Sequence, residues 1–402
     1  MPWDLILAII VGIVIGTFTG ITPGIHINTV TALLVANLGV FSNIQATSLI
    51  MFVVSLAITH TILDFIPSIL TGATDAESFL SVLPGHEMLK QGKGKEAILM
   101  VLIGVITSIP LIILITPLFT KFIPPIYEKI IPLIPFLLIF ISSYTILRED
   151  KIWTALIVFL STGILGFTAL NSPVKDPLLP LLGGLFGGSS ILISISQKIK
   201  IPKQDPLKIK GIISIKKDYF KSIIGSLISS PLCSFLPAIG SGHAATISSE
   251  IVPQTRKGFL IMFGTINILV MSLSFATLYA LNKTRTGAAA AIKNIIEEIS
   301  TKDLWNIIFV IIITIIIASI LSIIVTNTFL KLMEKLNYRI VSICMLAILS
   351  LAVIILSNWL GFLVFITSTA WGIFAILSNV RRINMMGVLL LPTIILYLTN
   401  NL

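Results

Sequence analysis

The chain has 402 residues, of which 56% are hydrophobic and 11% are charged, and its mean hydropathy is +1.06. Soluble domains carry about 25% charged residues, so this composition excludes a soluble protein. The net charge of +10 is concentrated between Gln197 and Lys221, where eight lysines face only two aspartates. No nucleic-acid motif accompanies this basic stretch, which is typical of a cytoplasmic loop between membrane helices.

Apolar runs near 20 residues long exclude the short alternating strands of a β-barrel and predict an all-α polytopic protein of the cell membrane. Several runs are too short to cross a bilayer, so we expect some of them to be half-helices in re-entrant hairpins. The predicted segments are 5–21, 24–40, 46–70, 97–119, 130–147, 152–170 and 178–195 before the basic stretch, and 219–236, 244–252, 258–281, 304–328, 340–357, 360–378 and 384–399 after it.

Seven segments on each side of the basic stretch predict two transmembrane repeats of inverted topology, residues 1–197 and 219–402. A basic cytoplasmic linker, residues 198–218, joins them. A second basic loop at 84–96 does not fit a simple count of crossings, and which segments are re-entrant stays open at this stage.

Residues 16–31 interrupt what would otherwise be one long apolar helix. Pro23 lacks a backbone donor and disfavours helix at the residue before it, while Gly20 and Gly24 permit unusual backbone angles. Non-helical backbone at membrane depth persists where it is buried in protein or lines a watery cavity. We therefore predict half of a binding site here, with a helix that restarts near Ile25.

Residues 230–247 contain a second interruption of the same kind, SPLCSFLPAIGSGHAATI. Both copies contain Pro-x-Ile followed by a histidine, His26 in the first and His243 in the second. Paired interruptions in two halves indicate the substrate site of a transporter built from repeats. The alternative is a pair of ordinary kinks in packed helices. The candidate substrate-binding residues are Gly24, Ile25, His26, Asn28, Thr29, Thr31, Gly240, Ser241, Gly242, His243, Thr246 and Asn267.

Two ionisable residues, His60 and Asp64, lie four residues apart inside the segment 46–70 and so share one helix face. Such residues in membranes usually face the protein interior or an aqueous path. They are candidates for a proton or cation site that couples transport to an ion gradient. A structural hydrogen-bonded pair is the alternative.

Lys283 and Arg285 precede a run of small residues that starts at Gly287. The two cations either attract an anion or only determine the topology, and the second interpretation is the commoner one for basic residues beside membrane helices. No P-loop and no HExxH motif is present, so the sequence predicts no enzyme, no cofactor and no metal. A membrane enzyme that acts on lipid-linked phosphates stays as a minor alternative.

The stretch GTFTGITPGIHINTVTALL resembles the opening of the large membrane subunit of the tripartite tricarboxylate transporters, in particular of its divergent archaeal relatives. The loop 84–99 is similar to a second stretch of that family, with Gly85, Met88, Gly92 and Ala97 at matching positions. PAIGSGHAATI resembles the later Pro-Gly-x-Gly segment of the family.

Three positions depart from the family pattern: Pro84 replaces an aspartate, His26 a glycine, and Ala238 the second proline–glycine. The resemblance implies a secondary carrier for carboxylates, with a small membrane subunit and an extracytoplasmic solute-binding protein as partners. Together with the two interruptions, it predicts a transporter of a small organic anion coupled to an ion or proton gradient. A translocase for a polyprenyl-phosphate lipid is the alternative function, and a homo-oligomer is possible in either case.

Overall fold

The computed structural model describes residues 2–22, 27–72, 82–196, 202–204, 216–335 and 338–400. These residues form helices and connecting turns and contain no β-strand, which confirms the all-α prediction. The α-helices are α1 Pro2–Ile21, α2 Ile27–Ala36, α3 Ala46–Leu63, α4 Phe65–Thr71, α5 Val82–Lys90, α6 Gly94–Ile130, α7 Ile134–Leu147, α8 Ile152–Leu170, α9 Leu178–Leu182, α10 Ser189–Ser196, α11 Lys216–Phe235, α12 Ser241–Ile251, α13 Arg256–Leu281, α14 Gly287–Ile295, α15 Thr301–Lys335, α16 Tyr338–Leu377 and α17 Gly387–Asn400.

Nine helical spans in the described part of the chain are long and apolar enough to cross a membrane. Two of them, Ala46–Thr71 (α3 with α4) and Arg256–Leu281 (α13), have 26 residues each and are 89% buried in their most apolar windows. By contrast, α1 and α16 are mostly exposed and present large apolar side chains outward, as helices in contact with lipid do. The two 26-residue spans therefore form the centre of the molecule.

Helix α1 packs along α3 through three glycines spaced four residues apart. Gly12 lies against Phe52, Gly16 against Leu56 and Gly20 against His60, so the two helices run in the same direction. Small residues at this spacing let two backbones approach closely, which is how membrane helices associate without a hydrophobic driving force.

Helix α11 packs along α13 in the same direction, but through serines. Ser222 donates to the carbonyl of Gly258 (2.8 Å) and Ser226 to the carbonyl of Met262 (3.3 Å). Helix α12 turns back beside α11, since Ser248 lies next to both Gly225 and Met262. Helices α11 and α12 thus form a helical hairpin, whose second arm has 11 residues and is too short to cross a bilayer.

The remaining helices pair across the two halves of the chain. Helix α3 packs against α15, and α13 against α6; likewise α8 packs against α17, and α9 and α10 against α16. Helix α16 breaks at Asn358, which has φ 64°, between the segments predicted at 340–357 and 360–378. Each of these contacts joins a helix from the first half of the chain to a helix from the second half.

One end of the molecule collects the charged loops. Lys257 at the start of α13 pairs with Glu96 at the start of α6, and Gln204 of the basic linker accepts a hydrogen bond from the backbone N–H of Gly94 (2.8 Å). The loop 84–96 therefore lies on the same side as Gln204. Helix α5, with nine residues, is too short to cross a bilayer.

An ion-pair cluster ties the end of α12 to the loops beside α8 and α17. Glu250 pairs with Arg148 (2.5 Å) and with Arg381 (3.4 Å), and Arg381 also pairs with the buried Glu149 (2.7 Å). The hydrogen bond from Arg148 holds the pKa of Glu250 below its ordinary value. These ion pairs therefore hold the C-terminal end of α12, opposite the tip of the α11–α12 hairpin, against the neighbouring loops.

Candidate functional site

The tip of the α11–α12 hairpin is a non-helical stretch between Phe235 and Ser241. Ala238 has φ 58°, a left-handed conformation that few non-glycine residues adopt, and Gly240 is extended. The last carbonyls of α11 and the first N–H groups of α12 have no partners within their helices at such a break. Their partners must come from elsewhere.

Arg285 supplies donors to this tip. Its Nε donates to the carbonyl of Ser234 (3.3 Å), and its Nη2 donates to the carbonyls of Cys233 (3.4 Å) and Ile239 (3.2 Å). A cation at a helix C-terminus is favoured by the helix dipole. The sequence favoured a topological role for Arg285; the structure instead places its guanidinium against the hairpin tip, in the interior of the molecule.

A cavity of about 60 Å³ lies between this tip and the middle of α13. A water molecule needs about 10–15 Å³ of such volume, so the cavity holds a few waters or one group the size of a carboxylate. Its lining combines hydroxyl, amide and guanidinium groups with apolar side chains: Cys233, Ser234, Ile239, Gly240, Ser241, Asn267, Val270, Met271, Ser274, Arg285 and Thr286.

Helix α14 begins at this cavity and connects it to the first half of the chain. Thr286 caps α14 by accepting from the N–H of Ala289 (3.2 Å), and its hydroxyl also bonds that of Ser274 (3.1 Å). The next N–H, of Gly287, donates to Oδ1 of Asn28 in α2 (3.1 Å). A side chain at Gly287 would collide with Asn28, so this close approach requires glycine.

Of the candidates in the second half, Gly240, Ser241 and Asn267 line the cavity. The other three belong to α12 but are not among the lining residues. Thr246 donates to the carbonyl of Gly242 (3.0 Å), and His243 is 2% exposed, with no hydrogen-bond partner for Nδ1 among the described residues.

Of the candidates in the first half, Gly24, Ile25 and His26 lie outside the described residues, as does the side chain of Thr29. Asn28 contacts α14 as stated above. Thr31 is buried, and its hydroxyl lies 3.0 Å from the carbonyl of Ile27, so it is bonded within its own helix. Among the described candidates of this half, Asn28 alone contacts the first turn of α14 beside the cavity.

The candidate coupling residues are buried in the first central span. Nδ1 of His60 lies 3.0 Å from the hydroxyl of Thr19 on α1, and Asp64 occupies the junction of α3 and α4, where its N–H donates to the carbonyl of His60 (2.9 Å). Neither residue lines the cavity. The structure therefore separates this pair from the hairpin tip.

Sequence reasoning did not single out Ser274 and Thr286, and it underweighted Arg285. The available signal was the position of Arg285 directly before Thr286 and Gly287, a helix cap followed by small residues. That signal marks a helix start, but it does not tell which way the preceding side chain points.

Comparison with known proteins decides the family. The sequence profile described as "Tripartite tricarboxylate transporter TctA family" matches residues 6–387, which is nearly the whole chain. The chain belongs to the TctA family. As a TctA family protein it is a multi-pass integral protein of the cell membrane and a transporter component, and the family is not a family of enzymes. The tripartite architecture of the family implies other subunits and a solute-binding protein.

A relative in Methanocaldococcus jannaschii, described as an uncharacterised protein, is 31% identical over 408 residues, which cover 98% of this TctA family chain and 99% of the relative. This archaeal relative agrees with the resemblance of the sequence to divergent archaeal members of the family. No solved structure matches the chain.

Proposed function

We propose that this TctA family protein is a secondary transporter of a small organic anion, and that the anion binds at the tip of the α11–α12 hairpin. The observation that carries this proposal is the cavity at the tip, where the first turns of α12 and α14 meet side chains that donate hydrogen bonds. Helix N-termini stabilise anions by roughly 0.3–1 kcal/mol each, and by more when partly buried.

The pairing of helices across the two halves supports the proposed inverted repeat, with boundaries at 1–197 and 219–402. In each half a pair of helices, α1 with α2 or α11 with α12, precedes a 26-residue central span. The span of the first half packs on α15 of the second half, and the span of the second half packs on α6 of the first half. Inverted repeats of this kind give a carrier two equivalent arrangements that face opposite sides of the membrane. The basic linker on the side of the loop 84–96 makes that side cytoplasmic in the proposal.

Two half-helices that correspond in this scheme pack differently. Helix α12 lies against α11 and α13 of its own half, whereas α2 lies mainly against α14 of the other half. We propose that these two arrangements alternate during transport. In the other state, α2 would pack within its own half and α12 against the other half.

Ion coupling is assigned to Asp64 and His60 in this proposal, because both are buried in the first central span. Asp64→Asn removes the charge, and we expect uptake driven by a proton or sodium gradient to fall at least tenfold. Counterflow without a gradient is retained. Asp4→Asn, at the exposed start of α1, is the control. Gradient-driven uptake by Asp64→Asn at the wild-type rate would refute the assignment.

The proposal is tested by uptake of radiolabelled mono-, di- and tricarboxylates into proteoliposomes. We expect saturable uptake of at least one of them, and weaker uptake after His26→Ala together with His243→Ala. Gly240→Ala adds a methyl group at a cavity-lining position with open space around it, and we expect a change in substrate preference with a normal fold. Gly39→Ala, also in open space, is the control. A wild-type protein that carries none of these anions overturns the proposal.

The partners proposed are a small membrane subunit and an extracytoplasmic solute-binding protein, as the family implies, together with a possible second copy of the chain. A translocase of polyprenyl-phosphate lipids is the second candidate, favoured by one observation: Arg285 provides a guanidinium at the tip, and phosphates favour such a group. Flipping of a labelled polyprenyl phosphate, without flux of soluble anions, would select it.

A further inference from the structure

The position of Arg285 is fixed from both sides. Asn282 ends α13 in a left-handed conformation (φ 50°), and its carbonyl accepts from Nζ of Lys293 (2.8 Å). Thr286 then caps α14. The three residues between these two fixed points return into the molecule, so that Arg285 reaches the hairpin tip.

The hydrogen bonds of this guanidinium are all to neutral groups. Within the described part of the chain, the ion pairs of the glutamates go to other cations at the charged end, and Arg285 pairs with no carboxylate. A guanidinium stays protonated at any physiological pH. Removing such a charge from water without an anionic partner is costly, and carbonyl dipoles compensate only part of the cost.

The donors of Arg285 are also incompletely used. Nε and Nη2 donate to the three carbonyls of the tip, while Nη1 makes no hydrogen bond to the described residues. Arg285 lines the cavity together with the hydroxyls of Ser241, Ser274 and Thr286. A charged donor beside hydroxyl groups in a small cavity is the environment that a carboxylate requires.

We propose that Arg285 is the fixed cation that recognises a carboxylate of the transported anion, using the donors that the hairpin tip leaves free. This inference rests on the proposed function and names Arg285 as the group that makes the transporter selective for anions. The cavity of about 60 Å³ admits one carboxylate and not a whole tricarboxylate, so the rest of the substrate extends beyond it. The substrate class is therefore an organic anion with one accessible terminal carboxylate.

The competing explanation is purely structural: Arg285 would only cap the carbonyl end of α11. The two explanations predict different effects of a bound anion. If Arg285 is only a cap, its substitution lowers the stability of the protein without changing the affinity for anions. If Arg285 recognises the anion, its substitution lowers that affinity, and a bound anion protects Arg285 from chemical modification.

The first experiment uses wild-type protein purified in detergent and needs no substitution. Phenylglyoxal, which modifies arginines, is added with and without each carboxylate that proteoliposomes transport, and modification is read at each arginine by mass spectrometry. We expect protection of Arg285 by the transported carboxylate, none by its neutral amide analogue, and no protection of the exposed Arg148. Equal modification of Arg285 with and without the anion overturns the inference. Protection by inorganic phosphate, but by no carboxylate, also overturns it and favours the phosphate-bearing lipid.

The second experiment compares Arg285→Lys, Arg285→Gln and the control Lys283→Gln. The control removes the same charge two residues away, from an exposed side chain outside the cavity. Affinity is measured from the shift in Tm with carboxylate concentration. We expect Arg285→Gln to bind about 10- to 100-fold more weakly, since hydrogen bonds to charged groups are worth about 1.5–3 kcal/mol. Arg285→Lys keeps the positive charge but lacks the paired N–H donors of the guanidinium, so we expect its anion affinity to lie between those of the wild type and Arg285→Gln.

Three outcomes are separated by these measurements. Variants of Arg285 with a lower ligand-free Tm but wild-type anion affinity show a cap alone and overturn the inference. Wild-type protein that transports carboxylates, with Arg285→Gln equally active, overturns the inference and leaves the proposed function standing. Wild-type protein that transports no carboxylate overturns the proposed function itself.

Discussion

Two regions of the molecule have the same order of helices but differ in the contacts that hold those helices together. Residues 2–90 and residues 216–295 each place a broken element before a 26-residue buried span that ends in a left-handed residue, Gly72 or Asn282, and then a short helix. In the first region α1 meets its span through glycines; in the second α11 meets it through serine hydroxyls. The first contact depends on steric fit and the second on hydrogen bonds.

The two regions also carry charge of opposite sign. The first has His60 and Asp64 within its span, and the second has Arg285 directed at the cavity beside its span. Under the proposed function, each region therefore serves an ion of a different sign, and the carrier binds an anion and a cation at separate places.

The largest effect is expected from a side chain at a glycine of the first region. In Gly16→Val the Cβ alone would lie 2.7 Å from the carbonyl oxygen of Leu56 and 2.8 Å from Cβ of Thr59. Because backbone cannot yield, α1 must leave α3, and we expect no folded, monodisperse protein in size-exclusion chromatography. Gly39→Ala meets nothing within 4 Å and should elute as the wild type does. A normal elution profile for Gly16→Val would show that the α1–α3 contact is dispensable.

Next in size is a reversible loss of transport when α2 is fixed to α14. A Cβ at position 287 would collide with Oδ1 of Asn28 and lie 2.7 Å from its Cγ. Asn28→Cys removes this amide group, so that a cysteine pair at 28 and 287 lies within reach of a disulfide. In a background with Cys233→Ala and Cys344→Ala, we expect Asn28→Cys with Gly287→Cys to crosslink on oxidation. Uptake should stop, and a reductant should restore it, if α2 leaves α14 during each cycle.

The single variant Asn28→Cys and the reduced double variant, which both lack the bond, serve as controls for the substitutions themselves. Full uptake by the crosslinked protein would mean that α2 stays on α14 throughout. The different packing of α2 and α12 would then be a fixed difference between the two regions.

The breaks in both regions follow from particular residues and could be predicted. Near 23 and 237–240, proline removes a backbone donor and glycine permits non-helical angles, and α1 ends at Ile21 while α12 begins at Ser241. The loop 84–96 was misleading because its length and charge do not reveal that most of it belongs to α5, a helix of nine residues that is too short to cross a bilayer. Arg285 could not be placed because its direction depends on the left-handed turn at Asn282 and on a contact with carbonyls about 50 residues earlier.

The smallest effect is expected at the serine contact of the second region. Ser226→Ala removes the hydrogen bond to Met262 but leaves no clash, and interhelical hydrogen bonds in membranes average about 0.6 kcal/mol. We expect a modest drop in Tm with uptake retained. Ser249→Ala, whose hydroxyl bonds only within α12, is the control. A loss as severe as that of Gly16→Val would remove the distinction between a steric and a polar contact.

The contact between Gln204 and the start of α6 has a consequence for how the chain is inserted during synthesis. Lys90, Lys93 and Lys95 leave the ribosome more than a hundred residues before Gln204. Yet Gly94, which lies among them, ends in contact with Gln204. Positive charges next to a nascent membrane helix are retained on the side of synthesis. In the proposed topology the early lysines therefore orient the first half before the second half is synthesised, and the linker lysines maintain that orientation.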